Sequence, residues 1–232
     1  MDATVAKEIL DKIIGQVFGV QNPLTLDQAL EKFAFDVRLP QQVYDSTTNQ
    51  ITWAYSTHPT KFITMENAHK RSEIDDWILP KKPLNNLQDV LAAWNEVNLT
   101  ATERSIDSEN IAECDMIYFS QKVYKSQDVH RSRNVILSDT VLDSEFIAAS
   151  QRSQTSNFCL RLEDSKECSN SFAISWSGNV SGSFFLHDCK DMQDSMFCSH
   201  LASKRFCIAN MQYTEEEYNK IKAEVIRWIL TG

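Results

Sequence analysis

His187, Asp188, Cys189, Cys198 and His200 are the residues of this chain whose types could ligate a divalent metal or pair a thiolate with an imidazole base. A structural zinc site usually draws on C-x-x-C. The six cysteines (Cys114, Cys159, Cys168, Cys189, Cys198 and Cys207) instead stand 45, 9, 21, 9 and 9 residues apart. A second set, Glu66, His69 and Asp75, offers carboxylates and an imidazole for general acid–base work but matches no motif, so solvated charge is the better account of it. The chain has no G-x-S-x-G elbow, no G-x-x-x-x-G-K-[ST] and no G-x-G-x-x-G, which leaves serine hydrolysis and nucleotide binding without support. What these side chains can do depends on the elements that aim them.

From Ser108 to Cys207 every third residue is drawn from one small set. Of these 34 positions 33 are Ser, Cys or aliphatic, and Lys204 alone is charged; the 66 residues between them hold 22 charges. A surface would show no such segregation, so the three-residue grid is an interior. From Ile117 to Ser150 apolar residues and serines alternate on it, and near Ser150, Ser153 and Ser156 the alternation changes phase. Stacking the outward residues at a period of 12 places Tyr124, Ile136, Ala148, Leu160, Phe172, Phe184, Met196 and Ile208 in one apolar column. The neighbouring column carries Phe185 and Phe197, while Gln127, Asp139, Gln151, Glu163, Ser175, His187 and Ser199 fall in a polar one. A period of 18 scatters this order.

The pattern predicts a mainly β fold: a narrow parallel β-solenoid of about 12 residues per coil over 108–210, four side chains inward, with coils about 4.8 Å apart. Inward serine hydroxyls must find backbone carbonyls or one another, since an unpaired one costs about 1–3 kcal/mol. The absence of proline after Pro83 suits a ladder that uses every amide. All six cysteines fall on the grid, as small core fillers. Cys189 and Cys198 then point inward while Asp188 and His200 stack outside, so no ligand shell or nucleophile pair forms from them. The expectation is no catalytic residue, no metal and no cofactor.

The grid resembles that of the twelve-residue β-helical antifreeze proteins of insects in geometry only. Their function needs an outer Thr-x-Thr ladder and their disulfides need cysteines six apart; this chain has neither. Leu201, Lys204, Phe206, Cys207, Ile208, Asn210, Gln212, Tyr213, Thr214, Glu216, Glu217 and Tyr218 resemble the ending of uncharacterised Cys-rich triplet-repeat proteins of uncultured bacteria and large phages, which close with a phrase like YCIFNKQYTKEEY. Many of that group's Cys positions are Ser here. The resemblance implies a fold and no activity.

Residues 1–100 read as a small α+β head. Apolar spacing predicts a helix over 3–18 stopped by Gly19, and Thr25 with Gln28 forms a capping box before a helix over 26–35. A hairpin follows over 41–56, then a short helix over 67–78 and another over 86–98 capped from Asn85. Thr214 and Glu217 open an amphipathic helix within 211–232, expected to cover the last coil.

The net charge of −9 argues against nucleic acid or an anionic membrane as partner, no run is long enough to span a bilayer, and the polar start points to a cytoplasmic protein, or a virion component if phage-encoded. The apolar column must be covered. Either the N-terminal helices fold over it, or it is a partner surface. On the second alternative, Tyr124, Ile136, Leu160, Phe172, Phe184, Phe185, Met196 and Phe197 bind protein, most simply a second copy across a two-fold axis in a homodimer. The leading expectation is a non-catalytic scaffold whose partner is protein, itself or a larger assembly; the competing one is an enzyme with its site in the head or at the head–solenoid junction.

Overall fold

A computed structural model describes residues 1–57, 61–74 and 77–231. Its centre is a parallel β-solenoid of about nine turns. Registers step by 12 throughout: Gln121, Arg133 and Glu145 stand in line on one side of the tube, and Gln127, Asp139 and Gln151 on another. Every grid residue from Cys114 to Cys198 is buried, and Lys204, the one charged member, lies exposed where the tube ends.

Each triplet consists of an inward residue, an outward one and a corner. From Asp107 to Ala209 every third residue turns the chain with φ between +39° and +61°. The left-handed region costs an L-residue roughly 1–2 kcal/mol and disfavours β-branching. The corners accordingly hold Asn and Asp often, Thr at 140 and 155, Gly at 182, and no Val or Ile. Burial of the next side chain inward, about 1.5–3 kcal/mol for a Val or Leu, offsets each strained corner.

Inward serines enter the ladder itself. The Ser120 hydroxyl donates to the Tyr118 carbonyl at 2.8 Å and accepts the Ser132 amide at 3.1 Å. The same pair of bonds recurs at Ser132, Ser144 and Ser156, and after the phase change at Ser177, Ser183 and Ser195. The expected carbonyl acceptors are there; the second partner is an amide of the next coil rather than another hydroxyl. The Ser153 hydroxyl, at the phase change, is buried without a protein partner.

Three helices lie along one side of the tube. α1 (Ala3–Phe18) has Asp2 as N-cap and left-handed Gly19 as C-cap, and α2 (Leu26–Phe33) starts with the Thr25–Gln28 capping box. The predicted extension of α2 to residue 35 is absent. Sixteen residues make α1 about 24 Å long, matching five coil spacings of about 4.8 Å. That is the distance from the coil of Tyr124 to that of Phe184: α1 lies along the strands from Tyr124 to Phe172, and Phe18 at its end reaches the Phe184 ring. Its Ala6, Ile9, Leu10, Ile13, Ile14, Val17 and Phe18 form one buried cluster with the apolar column. These two helices therefore take their core from the solenoid, the first of the two alternatives for covering the apolar column.

The head proper holds an antiparallel hairpin, β1 (Gln41–Tyr44) with β2 (Ile51–Ala54), and a parallel pair, β3 (Phe62–Thr64) with β4 (Thr100–Thr102). α3 (Met65–Ser72) is capped by Thr64; it begins two residues before the predicted start and ends six short of the predicted end. α4 (Leu87–Val97) is capped by Asn86, not Asn85. α5 (Glu215–Thr231) begins at the last coil, where Tyr218 meets Phe206 at 5.6 Å, and then runs back along the helical side, with Trp228 5.8 Å from Phe185. The last strand edge is turned by a two-residue antiparallel pairing of Cys207–Ile208 with Met211–Gln212.

Candidate functional site

The apolar column is sealed by the chain itself. Tyr124, Ile136, Leu160, Phe172, Phe184 and Met196 are buried under α1, α2 and α5. Phe18 stands edge-on to both Phe172 and Phe184 at 5.4 Å, and Phe33 to Phe172 at 5.6 Å. The Arg161 guanidinium holds the end of α2, donating to the Phe33 carbonyl at 2.7 Å and pairing with Asp36. Lys222 lies over the Phe184 ring and donates to the Gly182 carbonyl at 3.3 Å; burial lowers its pKa. These six residues are therefore unavailable to a partner, a correction to the partner-surface alternative. Phe185 and Phe197 stack at 4.7 Å beside Trp228, and of the expected partner residues only Phe197 is exposed.

Charged side chains on the tube wall satisfy one another between coils. Arg131 grips Asp143 and Arg152 grips Asp164, each twelve residues on and each through two nitrogens. Asn179 donates to Asp191 at 2.7 Å, and His200 meets Asp188 at 2.8 Å. The buried thiols of Cys189 and Cys198 point inward and donate to the His187 and Met196 carbonyls. The metal-like cluster is thus divided by the wall of the tube, and among the described residues no group of three potential ligands converges. Trp176 stands on a corner away from the helices, 60% exposed, beside an open groove that includes Gly178.

Two buried carboxylates organise this end of the molecule, Asp115 where the head meets the first coils and Asp45 within the head. Asp115 accepts the Tyr55 amide at 2.7 Å and both guanidinium arms of Arg104, fixing the hairpin to the tube. Asp45 accepts the amides of Thr47 and Thr64, the Thr47 hydroxyl and the Asn67 amide group. Burial alone would raise its pKa, but these donors together hold it far below the usual carboxylate range.

Between head and tube opens a pocket of about 730 Å³, walled by Trp53, Met65, Glu66, His69, Glu103 and Glu113. It brings Glu66 and His69 to the junction together; Asp75 lies outside the described residues. Glu103, which no sequence signal marked, occupies a left-handed corner, and burial raises its pKa against the hydrogen bonds of Thr52 and Trp53. Glu66 already pairs with Lys70 at 2.5 Å, and Glu113 accepts the Tyr124 hydroxyl at 2.9 Å. The pocket holds carboxylates that are each engaged.

The outermost apolar feature is α4, in which no residue is buried. Among the described residues, seven of the 19 exposed large apolar side chains fall in residues 79–97: Leu79, Leu84, Leu87, Val90, Leu91, Trp94 and Val97. The periodicity of this helix was legible in the sequence, and its lack of cover was not. No helix is long and apolar enough to cross a membrane among the described residues. Comparison with known proteins finds no matching family model, no matching curated protein and no matching solved structure.

Proposed function

We propose that this chain is a non-catalytic structural or scaffolding protein, binding other protein through the surface its own helices leave uncovered. One observation carries the reading: with the tube's apolar side sealed from within, the uncovered apolar side chains concentrate in residues 79–97. A patch of that kind marks a contact surface on a folded protein. A stiff tube keyed to the head through Asp115 would hold that contact at a set distance from whatever its far end meets. The assembly it serves would be cytoplasmic, or a virus particle if the chain is phage-encoded.

Gentle fractionation of lysate from the source cells tests this. The scaffold reading expects the native chain above its own 26.6 kDa mass, with cross-links to protein, a second copy included, from residues 79–97. A chain confined to monomer mass in that lysate overturns it.

The junction pocket favours a second reading, an enzyme of unidentified class using Glu66, His69 and Glu103. That reading expects turnover in a substrate screen, lost in Glu103→Gln with the fold intact. No turnover by the wild-type chain counts against it.

A further inference from the structure

We propose that the groove beside Trp176 binds a carboxylate-bearing oligosaccharide, at a site independent of the protein contact at residues 79–97. The groove runs along one side of the tube from Arg152 to His200, four coil spacings or about 19 Å. Gln154, Lys166, Gly178, Lys190 and Ala202 stand in line on its floor, between two rows of left-handed corners. It measures about 980 Å³ and is open, which suits a chain lying along it better than a small molecule that needs enclosure.

Trp176 is displayed rather than packed. It turns a corner at φ +49° and stays 60% exposed, where Asn, Asp or Gly would turn the chain with less strain. Its indole N–H donates to Asp164 at 3.2 Å and its ring stands 5.3 Å from that of His187, so the exposed ring is held in one orientation. An indole presented in this way offers a flat apolar face with a polar edge. A pyranose is its complement, because one face of the sugar is a patch of C–H bonds ringed by hydroxyls.

The floor supplies charge. Elsewhere on the wall, ions twelve residues apart have opposite sign, as in Arg131 with Asp143 and Arg152 with Asp164. Lys166 and Lys190 instead flank Gly178, two coils apart, and among the described residues neither ammonium has an ion pair or hydrogen bond. A Cβ at position 178 would meet the Lys166 stem at 3.8 Å, so a longer side chain there would compete with that stem for the floor. The rim acids do not cancel the two lysines: Asp164 is held by Arg152, Asp188 meets His200, and Asp191 accepts from Asn179. Two uncommitted ammonium groups on one floor complement an anionic ligand.

The same features select among anionic polymers. A nucleic acid carries one charge per roughly 1.7 Å of duplex, and a chain of net charge −9 with acids on both rims repels that density. An extended peptide adds to an open strand edge, whereas the strand of Gly178 is paired on both sides. A saccharide with carboxylates on its rings needs neither a dense basic surface nor a free edge.

Isothermal titration of the purified full chain at low salt tests the site with tetrasaccharides of polygalacturonate, alginate and hyaluronan. Cellotetraose is the neutral control and hexaglutamate the acidic peptide. At least one acidic tetrasaccharide should bind at about millimolar or tighter, and at least about tenfold more tightly than either control. Trp176→Ala and Lys190→Gln should each weaken that binding at least about tenfold with an unchanged melting temperature, since both side chains are exposed. No binding by any of the three acidic tetrasaccharides, equal binding of either control, or binding that survives Trp176→Ala would overturn the proposal. Those outcomes leave the scaffold reading standing, which fails instead on the native mass of the chain.

Discussion

The amide of Ser138 donates to the hydroxyl oxygen of Ser126, one coil away, at 3.0 Å. That hydroxyl in turn donates to the Tyr124 carbonyl at 2.8 Å, so a side chain takes the place of a backbone acceptor within the ladder. Serine is small enough for the tube and supplies donor and acceptor together, which neither valine nor alanine does. The alternation of Ser and Val on the grid is thus an alternation of hydrogen bonding and apolar filling.

Removing one such hydroxyl should be costly. Ser138→Ala leaves the Ser150 amide without its acceptor, while the Ile136 carbonyl loses the hydroxyl but keeps the Ala149 amide. We expect a loss of about 1–3 kcal/mol in urea unfolding, from the one buried group left unpaired. Ser138→Cys should lose less, because inward thiols such as Cys159 make the donor half of the pattern. Equal stabilities for all three chains would refute the ladder role.

Corner residues give a converse series. Asn170 turns the chain at φ +48°. Asn170→Gly should be neutral or stabilising by up to about 1 kcal/mol, and Asn170→Val destabilising by about 1–2 kcal/mol, because β-branching clashes in the left-handed region. Thermal unfolding of the two variants orders them; a stable Val variant would contradict the corner geometry.

The seal over the apolar column depends on Phe18. Its ring contacts those of Phe172 and Phe184 at once, so Phe18→Ala should cost about 3–5 kcal/mol and increase binding of a hydrophobic dye. An unchanged dye signal with α1 still helical would show the cover to be independent of this ring.

Acid should loosen the head before the tube. The Asp45 pKa lies far below its unfolded value of 3.8. A depressed carboxylate contributes stability that is fully present above the unfolded pKa and is lost as pH falls below it. Amide exchange in residues 41–57 and 61–64 should therefore accelerate from just under pH 3.8 downward, while residues 117–186 stay protected. Asp45→Asn should flatten that acid limb and weaken the head at neutral pH by about 2 kcal/mol. An acid limb identical in both chains would remove Asp45 as its cause.

The inward thiols make a further readout. Burial pushes Cys114 and Cys168 up to about 12. All six cysteines should resist alkylation at neutral pH until denaturant opens the tube, followed by mass spectrometry. Rapid native labelling of Cys159, at the middle of the rod, would place that residue outside it.

Spacing alone determined that residues three apart from Ser108 onward face inward, that coils repeat every twelve, that 3–18 is a helix and that another starts at 26, because each of these is written in local period and capping chemistry. Occupancy of the corners by Asn, Asp and unbranched residues was also present in the sequence, as a third phase of the triplet beside the inward and outward ones. Tertiary structure alone decided what covers Phe172 and Phe184, since amphipathic spacing says that a face is buried and not against what; there the match between α1 and five coils chose the solenoid. It decided equally that Asp45 and Asp115 are knots and that Glu103 lines the junction pocket, for their donors come from residues up to 60 positions away. Leu91 and Trp94 carry the same helical signal as Ile13 and Val17, yet only the folded chain distinguishes them, because cover depends on which elements reach a face in space.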